Sequence, residues 1–494
     1  MTAITSLLVT SLLAISLPAG PATPVPATPA VPPPTGPVPT SPATPTPSSP
    51  APTSPTTPTP TKPAPTGPAT PTPAKPTPTS PATSAPGRPA VPLATGLAAA
   101  AVPVTWTTAN SVATGDQDVP AIAANRNGRV AVVWEDDRDT TAPEDDTHSE
   151  IYLRVFNNGT PVYELKLSAG GTAGTAWRHV TPDVGLDDRG NAVVVWADDP
   201  DGNGFYNVPY RVVSPTGTVL ASGRANASAD GQQLWPKVSV DPDGVPNSAT
   251  AVGFTVVWED IQGTLPATIR AAGYTGNTTK AYEVLVSQAT GTHHRPDVAV
   301  SASGDAVVVW DEDADANASF NIGLARFARS NGAVNLSRRV ANSASGGQQR
   351  RPAVAANFNG DFGVAWESDH TGTPGVWSRS FSSTGTARHD DVEASSGTGA
   401  VAPTVGIDDQ ANTVVGWTVQ TASQDIAARG FNPDGTGTGR LPAGVLGQTT
   451  AGRQEQIALT SSPWGEISVC YTDDNDGNLF DQIILGVDGS NSGW

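Results

Sequence analysis

The sequence is poor in cysteine, which cross-links many small secreted domains, and in lysine. It contains one cysteine, Cys470, so an intrachain disulfide is excluded. Lysine is scarce as well, with 5 residues, and the formal net charge is −19. A surface of that sign repels phosphate backbones and anionic lipids, so we expect no nucleic-acid partner and no binding to membrane surfaces.

The first hundred residues lack acidic and aromatic side chains. No Asp, Glu, Phe, Trp or Tyr precedes Trp106, whereas 29 of the 48 prolines lie before residue 93. Such a segment has too little bulky apolar surface to offset the entropy of the chain, so it cannot form a packed core. We therefore expect the folded part of the chain to span residues 102–494.

The N-terminal segment itself divides into two parts. An apolar run at residues 6–17 is followed by Pro18-Ala19-Gly20, which is typical of a signal peptide, although no Lys or Arg precedes the run. The run is too short to span a bilayer. We predict a signal peptide at residues 1–20 and a secreted or cell-surface location. Residues 21–101 are Pro/Thr/Ala repeats, which favour an extended, disordered linker, either O-glycosylated as a stalk or unmodified.

Seven copies of one motif occupy the rest of the chain. In five copies a Trp stands 14 positions after a Pro, as in PDVAVSASGDAVVVW at residues 296–310. A sixth copy carries eight extra residues, and the seventh ends in Tyr instead of Trp. The final residues of the seven copies are Trp134, Trp196, Trp258, Trp310, Trp366, Trp417 and Tyr471.

Each repeat is interpreted as four strands, a to d, separated by turns rich in Gly, Asn and Asp. No stretch has the sustained 3.6-residue period of a helix. Strand b, which ends at the Trp, is apolar on both faces and therefore has to be buried between neighbouring sheets. Radial stacking of four-stranded sheets achieves this burial and predicts an all-β, seven-bladed β-propeller; an open solenoid is the alternative.

The two ends of the repeat region favour a closed ring. The seventh repeat has no room for a full strand d before Trp494, while residues 105–124 match residues 336–356, where a strand d enters the next strand a. We therefore expect the N-terminal strand to complete the last blade. The repeats resemble those of secreted bacterial seven-bladed β-propeller proteins, in architecture and repeat style. The sequence has neither the Asp box of sialidases nor the paired Gly-His and Trp-Asp signature, so the resemblance implies no enzyme family.

Internal repetition separates scaffold residues from candidate site residues. A residue found in every repeat is interpreted as scaffold, whereas one found in a single repeat is a site candidate. The b–c hairpins and the d–a connections share one face and are long and varied, so function is expected there. Aromatic rings and guanidinium groups around a concave opening favour sugars, uronic acids or carboxylated peptides. The predicted ligand-binding residues, all in d–a connections, are Trp177, Arg178, His179, Trp235, His293, His294, Arg295, Arg350 and Arg351. The alternative is that these residues only satisfy backbone groups at the blade junctions.

Two of the acidic b–c hairpins match part of a calcium-binding loop. Asp199-x-Asp201-Gly202 and Asp474-x-Asp476-Gly477 fit the middle of the pattern D-x-D-x-D-G. The first ligand is replaced and the distal Glu is missing, so a solvated hairpin is the other interpretation. Calcium is thus the one cofactor suggested, with Asp199, Asp201, Asp474 and Asp476 as its ligands.

Catalytic residues cannot be selected from the sequence. No nucleophile stands out beside a base, and Cys470 falls in a predicted core strand. Many acids compete for the role of a carboxylate pair in glycoside hydrolysis. We therefore interpret the chain as an exported, stalked and monomeric module that binds an extracellular glycan or protein. A polysaccharide hydrolase or lyase, and a surface scaffold without a small ligand, are the alternatives.

Overall fold

The described part of the protein is all-β. The computed structural model describes residues 98–99, 104–138, 148–170, 177–395, 399–420, 424–439, 441–448, 452–474 and 480–488. The chain divides into two units, residues 1–66 and 67–494, and every described residue belongs to the second. Within these ranges no residue lies in an α-helix, and no helix long and apolar enough to cross a membrane is found. The predicted signal peptide and nearly all of the predicted linker lie outside the described residues.

The described strands form seven sheets, six of four strands and one of five. Two short strands come first, β1 (Ala98–Ala99) and β2 (Val104–Thr108). Blade 1 contains β3 (Gln117–Ala124), β4 (Arg129–Asp136), β5 (Glu150–Asn157) and β6 (Thr160–Lys166). Blade 2 contains β7 (Arg178–Leu186), β8 (Ala192–Asp199), β9 (Pro209–Val213) and β10 (Val219–Arg224). Blade 3 contains β11 (Gln232–Val240), β12 (Phe254–Ile261), β13 (Thr268–Tyr274) and β14 (Lys280–Leu285).

The remaining four blades follow the same order. Blade 4 contains β15 (Thr292–Val300), β16 (Ala306–Asp313), β17 (Asn321–Phe327) and β18 (Val334–Val340). Blade 5 contains β19 (Gln349–Ala356), β20 (Phe362–Ser368), β21 (Gly375–Phe381) and β22 (Val392–Glu393). Blade 6 contains β23 (Ala400–Ile407), β24 (Thr413–Val419), β25 (Asp425–Phe431) and β26 (Gly444–Val445). Blade 7 contains β27 (Gln454–Ser461), β28 (Ile467–Asp473) and β29 (Gln482–Asp488).

The predicted seven-bladed β-propeller is confirmed. Strand β27 of blade 7 contacts β3 of blade 1, so the sheets form a ring and not an open solenoid. The fourth strand of blade 7 is β2, which pairs antiparallel with β29 from Val104 opposite Asp488 to Thr108 opposite Ile484. An early segment of the chain and its last described strand therefore share one sheet. In blade 6, β1 pairs parallel with β26.

Strand b of each blade lies in the core, as its apolar sequence predicts. The seven residues that end this motif are at most 1% exposed. Alternate residues of one strand b contact different neighbours: Trp134 lies in a cluster with Leu485 of blade 7, whereas Val133 lies in a cluster with Trp196 of blade 2. The blades therefore contact one another through the two buried faces of strand b. Burial of each large apolar side chain stabilises this contact by about 1.5–3 kcal/mol.

The first strand of each blade lines a central channel. Residues from β3, β7, β11, β15, β19, β23 and β27 surround a cavity of about 380 Å³. Because the strands within a blade alternate in direction, the d–a connections and b–c hairpins lie at one mouth and the a–b turns at the other. We call these the d–a mouth and the a–b mouth.

Candidate functional site

A β-bulge interrupts the first strand of every blade near the d–a mouth. The register shifts at this point in all seven inner strands, as between Leu234 and Lys237. One residue in each bulge has a left-handed backbone, with φ between 46° and 54°. We call these residues the bulge ring: Val119, Thr181, Trp235, Arg295, Arg351, Ala402 and Gln456. Six of them precede a proline, a position that normally favours extended backbone, so the surrounding structure has to hold the conformation.

Buried acids hold much of this ring in place. The acid directly after the strand-b Trp accepts the N–H of the bulge residue in the next blade. The nitrogen–oxygen distances are 2.6 Å from Thr181 to Glu135, 3.2 Å from Arg295 to Glu259, 2.7 Å from Arg351 to Asp311 and 2.8 Å from Ala402 to Glu367. In blade 1, the N–H of Val119 donates to the Gln456 side chain at 2.6 Å. These acids are ties between blades, a role that the sequence analysis did not identify.

Three consecutive blades place large side chains in the bulge ring. We call Trp235, Arg295 and Arg351 the rim arc. The guanidinium carbon of Arg295 lies 5.7 Å from the centroid of the Trp235 ring. The Arg295 side chain is 35% exposed and the Arg351 side chain 46% exposed, so both keep donors that can reach a ligand. The arc thus brings together one aromatic ring and two cationic groups at the d–a mouth.

Carboxylates beneath the arc fix the direction of its guanidinium groups. Arg295 Nη1 lies 3.6 Å from Asp311 Oδ2, and Arg351 Nη1 lies 3.0 Å from Glu367 Oε1. Asp311 is 0% exposed. Burial raises the pKa of Asp311 to about 7, although Arg295 and the Arg351 N–H act in the opposite direction. Near neutral pH this carboxyl group is therefore partly protonated, and the arc carries less negative charge than its acids suggest.

Two further predicted residues flank the rim arc. His294 Nδ1 lies 2.9 Å from Glu259 Oε1, and its ring centroid lies 6.1 Å from that of Phe320. The guanidinium carbon of Arg350 lies 3.9 Å from the centroid of the same Phe320 ring. Five of the nine predicted ligand-binding residues are therefore grouped in blades 3 to 5.

The structure places His179 and His293 in the interior, where they are 2% and 0% exposed. Both stand three positions before the proline of strand a. Four of the other five blades have a buried Gln at this position, and blade 6 has Ala400. His293 and Gln349 bond the carbonyl three residues earlier: His293 Nε2 lies 3.0 Å from the Thr290 oxygen, and Gln349 Nε2 lies 2.7 Å from that of Gly346. Such contacts satisfy the backbone of the d–a connection.

Trp177 and Arg178 belong to another group, in blades 1 and 2. The Trp177 ring centroid lies 5.1 Å from that of His148 and 5.1 Å from that of His179. His179 Nδ1 is hydrogen-bonded to the Asp198 carboxylate, and its Nε2 lies 2.8 Å from the Ala169 oxygen. The nine predicted residues thus divide into a rim group in blades 3 to 5, two buried histidines and this lateral pair.

In the two hairpins with the predicted calcium ligands, the described carboxylates contact groups of the protein itself. Both Asp199 oxygens accept backbone N–H groups of their own loop, from Asn203 at 3.0 Å and Gly204 at 2.9 Å, and Asp201 accepts the Asn203 side chain at 2.8 Å. Asp474 Oδ2 lies 3.9 Å from Arg453 Nε, and Asp476 lies outside the described residues. The calcium site stays a prediction, which a calcium titration of thermal stability tests directly.

A second set of polar groups, missed in the sequence analysis, lies inside the channel. Asp183, Lys237 and Asp297 each follow the proline of strand a, in blades 2, 3 and 4. The other four blades have Ala121, Ala353, Thr404 and Ala458 at this position. Alignment of the repeats on the residue after the proline would have shown the change from Ala or Thr to charged residues.

Comparisons with known proteins assign no family to the chain. No protein-family model matches the chain, and no curated protein matches it. A protein of unknown function from Dyadobacter fermentans is 11% identical over 77% of this chain and 97% of its own, with a TM-score of 0.43. A mutant NanB sialidase from Streptococcus pneumoniae is 10% identical over 78% of this chain and 71% of its own, with a TM-score of 0.44. An alpha-L-arabinofuranosidase from Fusarium graminearum is 11% identical over 64% of this chain and 95% of its own, with a TM-score of 0.45. Likenesses at this level assign neither a family nor a function to the chain.

Proposed function

We propose that this chain is an exported binding module that holds an acidic extracellular glycan at the rim arc. The observation that carries the proposal is the placement of Trp235, Arg295 and Arg351 at equivalent positions of three consecutive blades. An aromatic ring packs against the apolar face of a sugar, and a guanidinium group binds a carboxylate through two parallel hydrogen bonds. Two such groups beside one ring suit a chain that repeats sugar and carboxylate, as a uronic-acid polymer does.

The neighbouring side chains extend this surface. Arg350 and His294 lie beside the arc over Phe320, which adds a third cation at the same mouth. The apolar run at residues 6–17 and the Pro-rich segment after it support export and a tether. Together these features favour capture of a polymer outside the cell.

The test is a glycan array followed by titration calorimetry with purified residues 102–494. We expect binding to uronic-acid polymers and at least a tenfold loss of affinity in an Arg295→Ala/Arg351→Ala double variant. The matched control is Arg224→Ala/Arg339→Ala, which removes two exposed arginines from the outer strands β10 and β18. Equal binding by the double variant and the control would refute the role of the arc.

The same samples distinguish the alternatives. Release of shortened oligosaccharides from a bound polymer would favour a hydrolase or lyase over a binding module. Binding to an acidic peptide but to no glycan would favour a protein ligand. A stably folded protein that binds neither a glycan nor a peptide would favour a surface scaffold. The binding module is preferred because Glu259 and Asp311 are buried and their oxygens accept backbone N–H groups of the scaffold.

A further inference from the structure

The channel contains a group of charged residues that the interblade contacts explain only in part. We call Asp183, Lys237 and Asp297 the channel trio. Asp183 Oδ2 accepts the N–H of Val238 at 2.7 Å, and Asp297 Oδ2 accepts that of Val354 at 2.7 Å. Each of these carboxylates therefore ties its own blade to the next one. Part of the role of the two acids is structural.

Lys237 has no such structural role. Its Nζ lies 3.3 Å from Asp183 Oδ1, a long contact, and its side chain is 39% exposed into the channel. An ammonium group has three donors, so this contact leaves two of them available. The blades with Ala121, Ala353 and Ala458 at the same position form the same sheet without a charge. The fold thus does not require the lysine.

The charge state of the trio is set by its members. Burial alone would lower the pKa of Lys237, but Asp183 and Asp297 more than offset it and hold the pKa above its ordinary value. Burial raises the pKa of Asp297 to about 6. Burial also raises the pKa of Asp183, although Lys237 acts in the opposite direction. The trio therefore combines a cation with two acids whose affinity for protons is increased.

The cavity around the trio has the size of a small-molecule site. Its volume of about 380 Å³ lies at the low end of the range of roughly 300–1,000 Å³ for ligand pockets. Alanine and branched aliphatic residues are frequent in its lining, and polar atoms make up the larger part of the surface that it exposes. The cavity extends to the a–b mouth, where the guanidinium carbon of Arg126 lies 4.4 Å from the centroid of the Phe358 ring. Its lining does not include Trp235, Arg295 or Arg351.

Charge and hydrogen-bonding capacity together narrow the class of ligand. An anion would meet two carboxylates, and a cation would meet the ammonium of Lys237. A hydroxyl group both donates and accepts a hydrogen bond, so several hydroxyls on one molecule can serve both kinds of partner at once. We propose that the channel trio binds a small neutral polyhydroxylated molecule of monosaccharide size, at a site independent of the rim arc.

The test is saturation-transfer NMR on the full folded protein with a panel of neutral monosaccharides and polyols. Glycine, acetate, inorganic phosphate and calcium chloride are the other arms. We expect at least one neutral sugar or polyol to bind with a millimolar or lower dissociation constant. Lys237→Met, which keeps most of the aliphatic stem, should raise that constant at least tenfold. The control Lys280→Met changes a lysine on the outer strand of the same blade and should leave it unchanged.

A second variant protects the test against misfolding. Ala353→Leu lies at the level of the trio in blade 5 and reduces the cavity without a change of charge, so it should also abolish binding. The Arg295→Ala/Arg351→Ala variant should retain full sugar binding, which separates this site from the proposed function. The proposal is overturned if no neutral sugar or polyol binds the wild-type protein at 10 mM, if only a charged arm binds, or if neither channel variant weakens binding.

Discussion

The bulge ring has two halves that share a backbone and differ in side chains. In blades 3 to 5 its residues are Trp235, Arg295 and Arg351, whereas blades 6, 1 and 2 have Ala402, Val119 and Thr181. All six have the same left-handed φ within a few degrees. Glu367 holds Ala402 at 2.8 Å as Asp311 holds Arg351 at 2.7 Å. Trp235 has the same backbone although Ala197, and not an acid, follows the strand-b Trp of the blade before it. The left-handed conformation thus accepts side chains from Ala to Trp, and the side chain is free to serve a ligand.

The largest expected effect distinguishes a scaffold Trp from a Trp of the bulge ring. Trp310→Ala should cost about 3–5 kcal/mol in the free energy of unfolding, because the Trp310 side chain is fully buried between blades 3 and 4. Trp235→Ala should cost less than about 1 kcal/mol, because Trp235 is only half-buried at the mouth. Urea denaturation measures both values. Similar losses would show that Trp235 is part of the scaffold and not of a ligand surface.

Removal of one interblade tie is the next strongest change. Glu259→Ala leaves the N–H of Arg295 and the Nδ1 of His294 without their acceptor, and we expect a loss of about 1–3 kcal/mol. Glu393→Ala removes an exposed acid on strand β22 and is the matched control. Chemical denaturation of the two variants side by side gives the difference. A loss no larger than that of the control would mean that the bulge holds itself without the carboxylate.

Stability should also fall as the pH rises from about 4 to about 8. Burial raises the pKa of Asp297 and Asp241 to about 6, of Asp311 to about 7 and of Asp481 to about 8. The folded state therefore retains protons that the unfolded state releases above pH 4. The stability that these protons confer is complete below that pH and is lost as each native pKa is passed.

We expect the melting temperature to be higher at pH 5 than at pH 8 by a few degrees, which calorimetry at constant ionic strength measures. Asp311→Asn keeps an acceptor for the Arg351 N–H and should reduce the slope near pH 7. A melting temperature that rises across this interval would contradict the assigned direction.

The smallest effect concerns the buried histidines. His293→Gln should change the free energy of unfolding by less than about 1 kcal/mol, because Gln117, Gln233 and Gln349 occupy the same position and bond the carbonyl three residues earlier. His179→Gln should cost more, since His179 also bonds Asp198. Thermal melts compare the two variants. A large loss in His293→Gln would mean that the imidazole has a role of its own.

The repeat pattern was enough to predict the ring, its seven blades and its buried strand b. The spacing of the repeats and the apolar sequence of strand b can be read along the chain. A strand that is apolar on both faces can be buried in few arrangements, and a ring of stacked sheets is one of them. The candidate site was predictable only as a region. His293 and His294 are adjacent in the sequence, yet the first is fully buried and the second is half-exposed. Strand alternation decides which of the two faces the mouth.

The sequence by itself determined the architecture of the repeats, because each repeat carries the pattern of one four-stranded sheet and its doubly apolar strand b has to lie between neighbouring sheets. Tertiary structure alone decided which charged residues meet. It brought Trp235, Arg295 and Arg351 to one rim and Asp183, Lys237 and Asp297 to one channel, although more than fifty residues separate neighbours in each set. The physical reason is ring closure, which makes equivalent positions of successive blades neighbours around a common axis. A pattern along the chain does not give the distances between residues that lie in different blades.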